Sequence, residues 1–420
     1  MSHAQRATLY LLITTPFARK LAIRLGAIDY PDKRRINTTP IPRLGGLAVF
    51  AGLCTALIVE LVGIKVFGWP AILIPHPSMN INYPLLGVSF LIIVITGAVD
   101  DVKQLSPKAK LLGQVLAGCV AAAAGLLIGR IVNPLATGGE LALGWLAYPI
   151  TVIYLVAFAN IINLIDGLDG LATGISSIAA LTMFSFAILS GQSDAAALAI
   201  ALAGACLGFL RYNFHPARIF LGDSGSLLLG FALGTISLLS VSRTAALTSL
   251  IVPLIVAGVP IIDTLSAIVR RVRAHVSIGQ ADKGHIHHRL IQEGYDQRQA
   301  VLLIYGWCLL LSAGAIVINQ VDVFARFVIF IFLFICSAFF AMHLHLFEPV
   351  LRHHYNPKTK QDELVTPDNP AFADETEAAH EEHEERIERI KQHTTHQHDR
   401  KEEKAMPNEL SYEKSLQRSN

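Results

Sequence analysis

The sequence predicts an all-α polytopic membrane protein with about eleven transmembrane helices. Of its 420 residues, 53% are hydrophobic and only 16% are charged, and the mean hydropathy is +0.49, whereas about 25% of the residues in a typical soluble domain are charged. The apolar residues also cluster in runs of roughly 20, the length that an α-helix needs to cross the hydrocarbon core. These observations argue against a soluble globular body.

Hydropathy gives the predicted spans in order along the chain. They lie near 7–25, 44–66, 84–99, 109–129, 146–163, 171–190, 194–210, 225–242, 245–269, 300–318 and 323–345. The first lacks the basic start and small-residue cleavage site of a signal peptide, so we expect it to remain as a span. The last is bounded by Asp322 and Glu348, which supports a final crossing.

Lys and Arg in the short loops determine the predicted orientation. The loops "PDKRR", "DDVKQLSPKAK", "RYNFHPAR" and "RRVRAHVSIGQADKGHIHHR" are basic, whereas the loops between them hold few basic residues. The basic loops are therefore predicted to be cytoplasmic. With an odd number of spans, the N-terminus lies outside and the C-terminus lies in the cytoplasm.

Charge divides the chain into two predicted regions. Residues 1–347 carry 23 Lys and Arg against 15 Asp and Glu, and residues 348–420 carry 11 against 17. We therefore predict a membrane domain over 1–347 and a charged, His-rich cytoplasmic tail over 348–420 that is largely disordered. The five cysteines lie singly in apolar runs without a CxxC pair, so they indicate neither a zinc site nor a disulfide framework.

The first polar stretch at a predicted cytoplasmic edge is "GAVDDVKQLSPKAKLLGQ". Asp100 and Asp101 end a span here, and Lys110 follows. A carboxylate is costly in hydrocarbon, so an acid at a span edge usually faces water or has a function. Adjacent carboxylates also repel one another unless a cation lies beside them. An ordinary charged helix end is the alternative interpretation.

The second stretch, "NIINLIDGLDGL", spaces Asn163, Asp166 and Asp169 by three residues. On a helix these side chains share one face, while Gly167 and Gly170 offer an opened helix instead. In both cases an amide and two carboxylates point at one pocket, which suits a hard cation or the donors of a nucleotide base. A glycine-rich turn capped by Asp is the alternative.

The third stretch is "RIFLGDSGSLLLG", in which Asp223 stands at the mouth of a span. This position suits a functional carboxylate, and it equally suits a helix N-cap. Arg211, His215 and Arg218 precede it and add donors for phosphate.

The fourth stretch, "GQADKGHIHHRL", contains His285, His287, His288 and Arg289 in the longest predicted cytoplasmic loop. Three histidines could suggest zinc, but the oxygen ligands in the other stretches suit Mg²⁺ better. We therefore interpret these side chains as donors near phosphates. Together the four stretches suit phosphoryl transfer from a Mg²⁺-bound donor to a lipid acceptor.

These stretches, preceded by "PIPRLGGLAVF", resemble the polyprenyl-phosphate N-acetylhexosamine-1-phosphate transferases over roughly residues 7–345. The resemblance implies transfer of a sugar-1-phosphate from a UDP-sugar to a polyprenyl phosphate, with release of UMP and a need for Mg²⁺, or Mn²⁺ in its place. "HIHHRL" is similar to the branch that uses UDP-N-acetylglucosamine (UDP-GlcNAc). This branch begins teichoic acid, O-antigen or arabinogalactan-linkage synthesis.

The resemblance also implies roles for the metal and nucleotide residues. Asp223 would bind the metal, and Asn163 would share it. Asp169 would read the uracil ring. Asp166 would lie beside the nucleotide and is counted among the catalytic candidates.

For the lipid phosphate and the sugar, the resemblance implies a second set. Asp100 and Asp101 would handle the lipid phosphate as catalytic residues, and Lys110 would contact phosphates. Around the sugar and pyrophosphate it places His287, His288 and Arg289. The loop motif with Arg43, Gly45 and Gly46 receives no role.

The expected partners are UDP-GlcNAc, a polyprenyl (undecaprenyl or decaprenyl) phosphate and the lipid bilayer, with no nucleic acid; a homodimer is left open. The expected location is the bacterial plasma membrane, with the active site on the cytoplasmic face. Direct attack by the lipid phosphate is favoured over a phospho-aspartate intermediate on Asp100 or Asp101.

Two other functions remain as alternatives. One is phospho-N-acetylmuramoyl-pentapeptide transfer, although that branch usually has three consecutive histidines where this chain has Ile286 after the first. The other is a secondary transporter, for which Asp263 in "VPIIDTLSAIVRR" would be the intramembrane acid.

Overall fold

The computed structural model describes residues 3–30, 40–69, 81–132, 140–241, 257–273, 284–318, 320–344, 346, 352–356 and 361–365. The chain divides into two compact units. One comprises Met1–Tyr30 and Asn37–Glu348, and the other comprises Pro31–Ile36 and Pro349–Asn420.

Within the described ranges, the first unit is built almost entirely from α-helices. They are α1 His3–Leu25, α2 Gly45–Phe67, α3 Tyr83–Lys103, α4 Pro107–Ala123, α5 Ala147–Ile165, α6 Leu171–Leu189, α7 Ser193–Asn213, α8 Gly222–Val241, α9 Gly258–Arg273, α10 Ile286–Gln292, α11 Gln297–Ile318 and α12 Val323–His343. A 3₁₀ turn, Gly144–Leu146, leads into α5.

Short antiparallel strand pairs complete the described structure. β1 Ile28–Asp29 pairs with β2 Ile41–Pro42, and β3 Arg130–Val132 pairs with β4 Glu140–Ala142. The second unit contains the hairpin β5 Arg352–Asn356 and β6 Gln361–Val365. This hairpin lies in the predicted tail; the rest of the tail lies outside the described residues.

Seven of the described helical segments have the length and hydropathy to cross a membrane. They are Gly45–Phe67, Tyr83–Lys103, Gly144–Ile165, Leu171–Leu189, Ser193–Asn213, Gly222–Ser240 and Gln297–Ile318. The predicted class, an all-α multi-span membrane protein, is therefore confirmed.

The remaining four predicted spans agree with the described helices to different degrees. α1 and α12 coincide closely with the predicted spans 7–25 and 323–345, and α1 contains Pro16. α4 ends at Ala123 rather than near 129, because the chain turns at Gly125 with φ +93°. The predicted span 245–269 lies partly outside the described residues, and α9 begins at Gly258.

Helix α8 lies at the centre of the first unit, and 89% of its most apolar segment is buried. It packs against α3, α5, α2, α7 and α6. Small residues permit this close approach, as is common between membrane helices. A methyl group on Gly230 would lie 2.3 Å from the carbonyl oxygen of Phe158, so only glycine fits between α8 and α5 there.

Candidate active site

Lys110 lies at the centre of a cluster of polar side chains from four helices. Its Nζ is 3.0 Å from Asp100 Oδ2 and 2.9 Å from Asp223 Oδ1, and it donates to Asn163 Oδ1 at 3.3 Å. Asn163 donates from Nδ2 to Asp223 Oδ1 at 2.5 Å and to Ser226 Oγ at 2.7 Å. The structure therefore brings together residues predicted from three separate stretches, namely Asp100 and Lys110, Asn163, and Asp223.

Helix ends explain why these side chains meet. Asp100 is in the last turn of α3, and Asn163 is in the last turn of α5. Lys110 is in the first turns of α4, which Ser106 caps by accepting from Ala109 N at 3.3 Å. Asp223 is the second residue of α8. All four ends lie on the same side of the bundle, as predicted from the loops.

The cluster collects hard oxygen donors around one positive charge. Asp100 and Asp223 share the ammonium of Lys110, and a cation between two carboxylates offsets their mutual repulsion. Among the described residues, no three His, Cys, Asp or Glu side chains are grouped to hold a metal ion. The two carboxylates and the amide oxygen of Asn163 are nevertheless the ligand types that Mg²⁺ prefers.

Asp101 holds the start of α8. Its Oδ1 accepts from Asp223 N at 2.8 Å, and its Oδ2 accepts from Ser224 N at 3.0 Å and Ser224 Oγ at 2.8 Å. The first N–H groups of a helix have no partner within the helix, and this carboxylate supplies one. Gly222 has φ +72°, and a methyl group there would lie 2.5 Å from Asp101 Oδ2. Both oxygens of Asp101 thus bind the start of α8, whereas Asp100 accepts from Leu105 N through Oδ1 and faces Lys110 through Oδ2.

The "PRLGG" motif attaches to the same helix start. Phe220 N donates to the carbonyl oxygen of Pro42 at 2.8 Å, and Gly45 N donates to that of Phe220 at 3.0 Å. Arg43 Nη1 lies 3.2 Å from Asp29 Oδ1, and Arg43 Nε lies 3.6 Å from Asp101 Oδ1. The motif that received no role from the sequence therefore supports the segment that carries Asp223.

The aspartates of the second stretch lie on a turn rather than on one helical face. Helix α5 ends at Ile165, and Gly170 adopts φ +80° before α6 begins. The expectation of a shared helical face is therefore wrong, and the alternative with glycines opening the helix is correct. Asp169 Oδ2 accepts from Ala217 N at 3.0 Å and lies 2.9 Å from His215 Nδ1. His215 thus binds a carboxylate in this structure.

The charges of the cluster around Lys110 affect the carboxyl group of Asp166. Burial raises its pKa well above the usual range, and the nearby charges of Asp223 and Asp101 raise it further, while Arg43 opposes this effect. A carboxyl group in this environment holds its proton more strongly than an exposed one. The surroundings of Asp166 therefore favour the protonated form of its carboxyl group.

Two histidines of the fourth stretch, His287 and His288, lie on the short helix α10, and His285 directly precedes it. His287 is 3% exposed, and its Nδ1 has no hydrogen-bond partner among the described residues. A methyl group on Gly167 would lie 2.2 Å from His287 Nε2, so the ring rests on the α5–α6 loop. The ring of His288 lies 4.3 Å from that of His287 between centroids. Arg289 follows on the same helix and is partly buried.

Burial lowers the pKa of His287 well below its usual value, and His288 and His285 add to this effect. His287 is therefore neutral at pH 7 and can present a ring nitrogen to a ligand as a donor or an acceptor. The ring of His285 points into the interior instead, where its Nδ1 is bound by Asp263. Asp263 is thus paired within the protein, which removes the observation that suggested a transporter.

Three features of the site were missed by sequence reasoning. Ser226 completes the environment of Asn163, and its position three residues after Asp223 on one helix is a signal that could have found it. Asp29 pairs with Arg43 from the two-residue strand β1, where the sequence shows no motif. The Asp263–His285 pair joins residues 22 apart, which no spacing indicates.

Comparison with known proteins shows similarity over about three quarters of the chain. The family model described as glycosyl transferase family 4 matches residues 83–241. A probable undecaprenyl-phosphate N-acetylglucosaminyl 1-phosphate transferase of Bacillus subtilis is 39% identical over 324 residues, which cover 77% of this chain and 86% of that protein. A decaprenyl-phosphate N-acetylglucosaminephosphotransferase of Mycolicibacterium smegmatis is 36% identical over 333 residues, or 74% of this chain and 79% of that protein.

A more distant relative acts on another donor. The phospho-N-acetylmuramoyl-pentapeptide-transferase of Moorella thermoacetica is 33% identical over 287 residues, which cover 66% of this chain and 83% of that protein.

Proposed function

The chain belongs to glycosyl transferase family 4, and we propose that it transfers GlcNAc-1-phosphate from UDP-GlcNAc to a polyprenyl phosphate. UMP is released, and the product is polyprenyl-diphosphate-GlcNAc. The observation that carries this proposal is the identity of 36–39% to relatives named as polyprenyl-phosphate GlcNAc-1-phosphate transferases. The reaction would be the first membrane step of a cell-wall or surface glycopolymer.

The cluster around Lys110 supports a direct displacement. An oxygen of the lipid phosphate attacks the β-phosphorus of the UDP-sugar, and the bond from that phosphorus to the bridging oxygen breaks, so UMP leaves with the bridging oxygen. The lipid phosphate is already largely ionised, since such groups have a second pKa near 6. Little proton removal is therefore needed. Lys110 serves to place the attacking phosphate and balance its charge, and Asp100 holds the Lys110 ammonium in position.

The remaining candidates are assigned to the donor. We propose that Asp169 and Asp166 hold the nucleotide, and that His287, His288 and Arg289 contact the sugar and the pyrophosphate. The neutral state of His287 supports this role, because its unpartnered Nδ1 is available for a hydrogen bond. Asp101 holds Asp223 in position by accepting a hydrogen bond from its backbone N–H.

A divalent cation fits the oxygen donors of the cluster. Asp223 and Asn163 would hold Mg²⁺, or Mn²⁺ in its place, and their contacts with the Lys110 ammonium support this assignment. When bound, the ion would neutralise charge on the pyrophosphate and polarise its oxygens.

An apolar cavity supports a lipid acceptor. It has a volume of about 510 Å³ and lies between α4 and α5, the helices that also carry Lys110 and Asn163; its lining includes Val115, Cys119 and Val152. Val115 and Cys119 follow Lys110 by about 8 and about 14 Å along the helix axis. A polyprenyl chain could lie here with its phosphate at the cluster.

The finer membrane arrangement is part of the same proposal. We propose eleven spans, an external N-terminus and an active site on the cytoplasmic face of a bacterial plasma membrane. The basic loops support this orientation, and the water-soluble UDP-sugar requires access from the cytoplasm.

An assay with two donors tests the function. Purified protein in detergent is incubated with undecaprenyl phosphate, Mg²⁺ and either radiolabelled UDP-GlcNAc or UDP-N-acetylmuramoyl-pentapeptide. We expect UMP and labelled lipid from UDP-GlcNAc only. Lipid product from the pentapeptide donor alone would reject the proposal in favour of the peptidoglycan reaction. With a chirally labelled β-phosphorus, inversion would support direct displacement, and retention would point to a phospho-aspartate intermediate.

A further inference from the structure

A buried carboxylate–imidazole pair lies beneath the helix that carries the site histidines. Asp263, in α9, is 1% exposed, and His285, which precedes α10, is 6% exposed. Asp263 Oδ2 lies 2.8 Å from His285 Nδ1, and its Oδ1 accepts from Ile286 N at 2.8 Å. A single carboxylate from α9 therefore binds both the residue before α10 and the first N–H of that helix.

Helix α10 depends on such contacts for its position. It has only seven residues, and a helix this short is not stable by itself in water. An ordinary cap comes from the residue at the helix start, and here His285 provides no side-chain cap. The capping carboxylate comes from another helix instead, which attaches the start of α10 to α9.

The other side of α10 meets the loop that carries the nucleotide aspartates. The ring of His287 rests on Gly167, where a methyl group would lie 2.2 Å from Nε2. The rings of His285 and His287 are nearly parallel, at 5° with centroids 5.9 Å apart. The contacts therefore run from Asp263 through His285 to His287 and on to the α5–α6 loop.

We propose that Asp263 is a positioning residue of the transferase, acting through His285 to hold His287, His288 and Arg289 in place for the diphosphate and sugar of the donor. The role rests on the proposed function of those three residues. Burying a carboxylate this completely costs free energy unless its oxygens are hydrogen-bonded. The two contacts of Asp263 provide these hydrogen bonds, and they also fix the start of α10. Asp263 itself contacts no substrate.

Steady-state kinetics of Asp263→Asn test the proposal. The substitution keeps the shape of the side chain and an acceptor for Ile286 N, but it weakens the bond to His285. We expect kcat/KM for UDP-GlcNAc to fall by up to about a hundredfold, the cost of misplacing a catalytic group by about 1 Å. The KM for undecaprenyl phosphate should stay within about twofold, because Asp100 and Lys110 are untouched. A merely structural role would affect both substrates alike.

A double-mutant cycle shows whether Asp263 acts through His285. The variant with Asp263→Asn and His285→Asn should be no worse than the worse single variant, because both changes break the same contact. Asp322→Asn is the matched control, since Asp322 also caps a helix by accepting from Phe324 N and Ala325 N, but at the start of α12. It should leave both KM values unchanged.

Each outcome decides the proposal. Wild-type kinetics for Asp263→Asn, an equal rise in both KM values, or additive losses in the double variant would overturn it. If Asp263→Asn does not fold, Gly167→Ala displaces His287 from the opposite side and should reproduce the selective loss for UDP-GlcNAc; an unchanged KM there would also overturn it. Wild-type protein that releases no UMP from UDP-GlcNAc would instead reject the proposed function.

Discussion

At the scale of single residues, the same side chain type performs different tasks in this site. Asp100 and Asp223 point at the ammonium of Lys110, and Asp101 binds only groups of the protein at the start of α8, apart from its ion pair with Arg43. A substitution at Asp223 therefore removes a charge from the reacting cluster, whereas one at Asp101 displaces the helix that carries Asp223. The chemistry of each carboxylate follows from what its oxygens contact.

Asp223→Asn should abolish turnover. The substitution removes one carboxylate beside Lys110, and with it the assigned metal ligand, so we expect kcat to fall by at least about a hundredfold. The residual activity should depend less steeply on Mg²⁺ concentration. Asp296→Asn, at an exposed cap of α11, is the control and should behave as wild type. An unchanged kcat for Asp223→Asn would contradict the metal role.

The low pKa of His287 makes stability depend on pH. In the folded protein His287 stays neutral, while in the unfolded chain it takes up a proton below about pH 6.5. The unfolded state then binds more protons, so stability falls as the pH drops below that value and is unaffected above it. The thermal midpoint in detergent should therefore fall less between about pH 7 and about pH 5 for His287→Asn than for wild type. Parallel curves would show that His287 contributes nothing.

The sequence predicts the cluster residues better than their partners. Asp100, Lys110, Asn163 and Asp223 stand out because a charged or amide side chain at the end of an apolar run is costly without a purpose. The bond from Asp223 N to Asp101 joins residues 122 apart. Such pairings depend on how helices pack, which a single sequence does not specify, and for the same reason Asp101 could not be recognised as a support for α8.

At the scale of elements, the start of α8 is the point on which α2 and α3 converge. A methyl group on Gly46 would lie 2.1 Å from Gly225 N, and one on Gly97 would lie 2.4 Å from Ser224 Cα. Backbone therefore meets backbone at this junction. Gly46 of "PRLGG" and Gly225 of "FLGDSG" are explained by this contact, in addition to any role at the substrate.

Gly46→Ala should displace the start of α8 and reduce activity. The added methyl group meets backbone atoms that cannot rotate away, and overpacking of this kind usually costs about 1–3 kcal/mol. We expect a lower thermal midpoint in detergent together with a lower kcat, because Asp223 moves with α8. Gly87→Ala is the matched control, since a methyl group there has no neighbour within 4 Å. Equal behaviour of the two variants would contradict the packing argument.

Hydropathy predicts most of the long helices well, and it predicts the extent of α4 less well. The segments of α2, α3, α5, α6, α7, α8 and α11 match their predicted spans. The predicted end of α4 was too late, because a single apolar run continues past Gly125 while the backbone turns there. Hydropathy measures composition, and it does not detect a change of backbone direction within an apolar run.

At the scale of the whole molecule, chemistry is concentrated in the membrane unit. Every predicted site residue lies within 100–289, and the stretch from Asp100 to Asp223 falls inside the family match over 83–241. The similarity to the Bacillus subtilis relative extends over 77% of this chain. The acidic region from 348 onward carries none of the four motifs, so its contribution must be tested separately.

Deletion of residues 352–420 should leave catalysis intact. This region belongs to a separate compact unit, and none of the contacts that form the cluster around Lys110 involves it. We expect kcat and both KM values of the truncated protein in detergent to lie within about twofold of wild type, since changes at sites that share no partners usually act independently. A variant with the charged stretch 375–392 scrambled keeps the length and composition and serves as the control. Loss of activity in the truncated protein at an unchanged thermal midpoint, with the scrambled variant active, would show that the tail assists the reaction through its bulk or charge. Loss in both variants would assign that role to the sequence of the charged stretch.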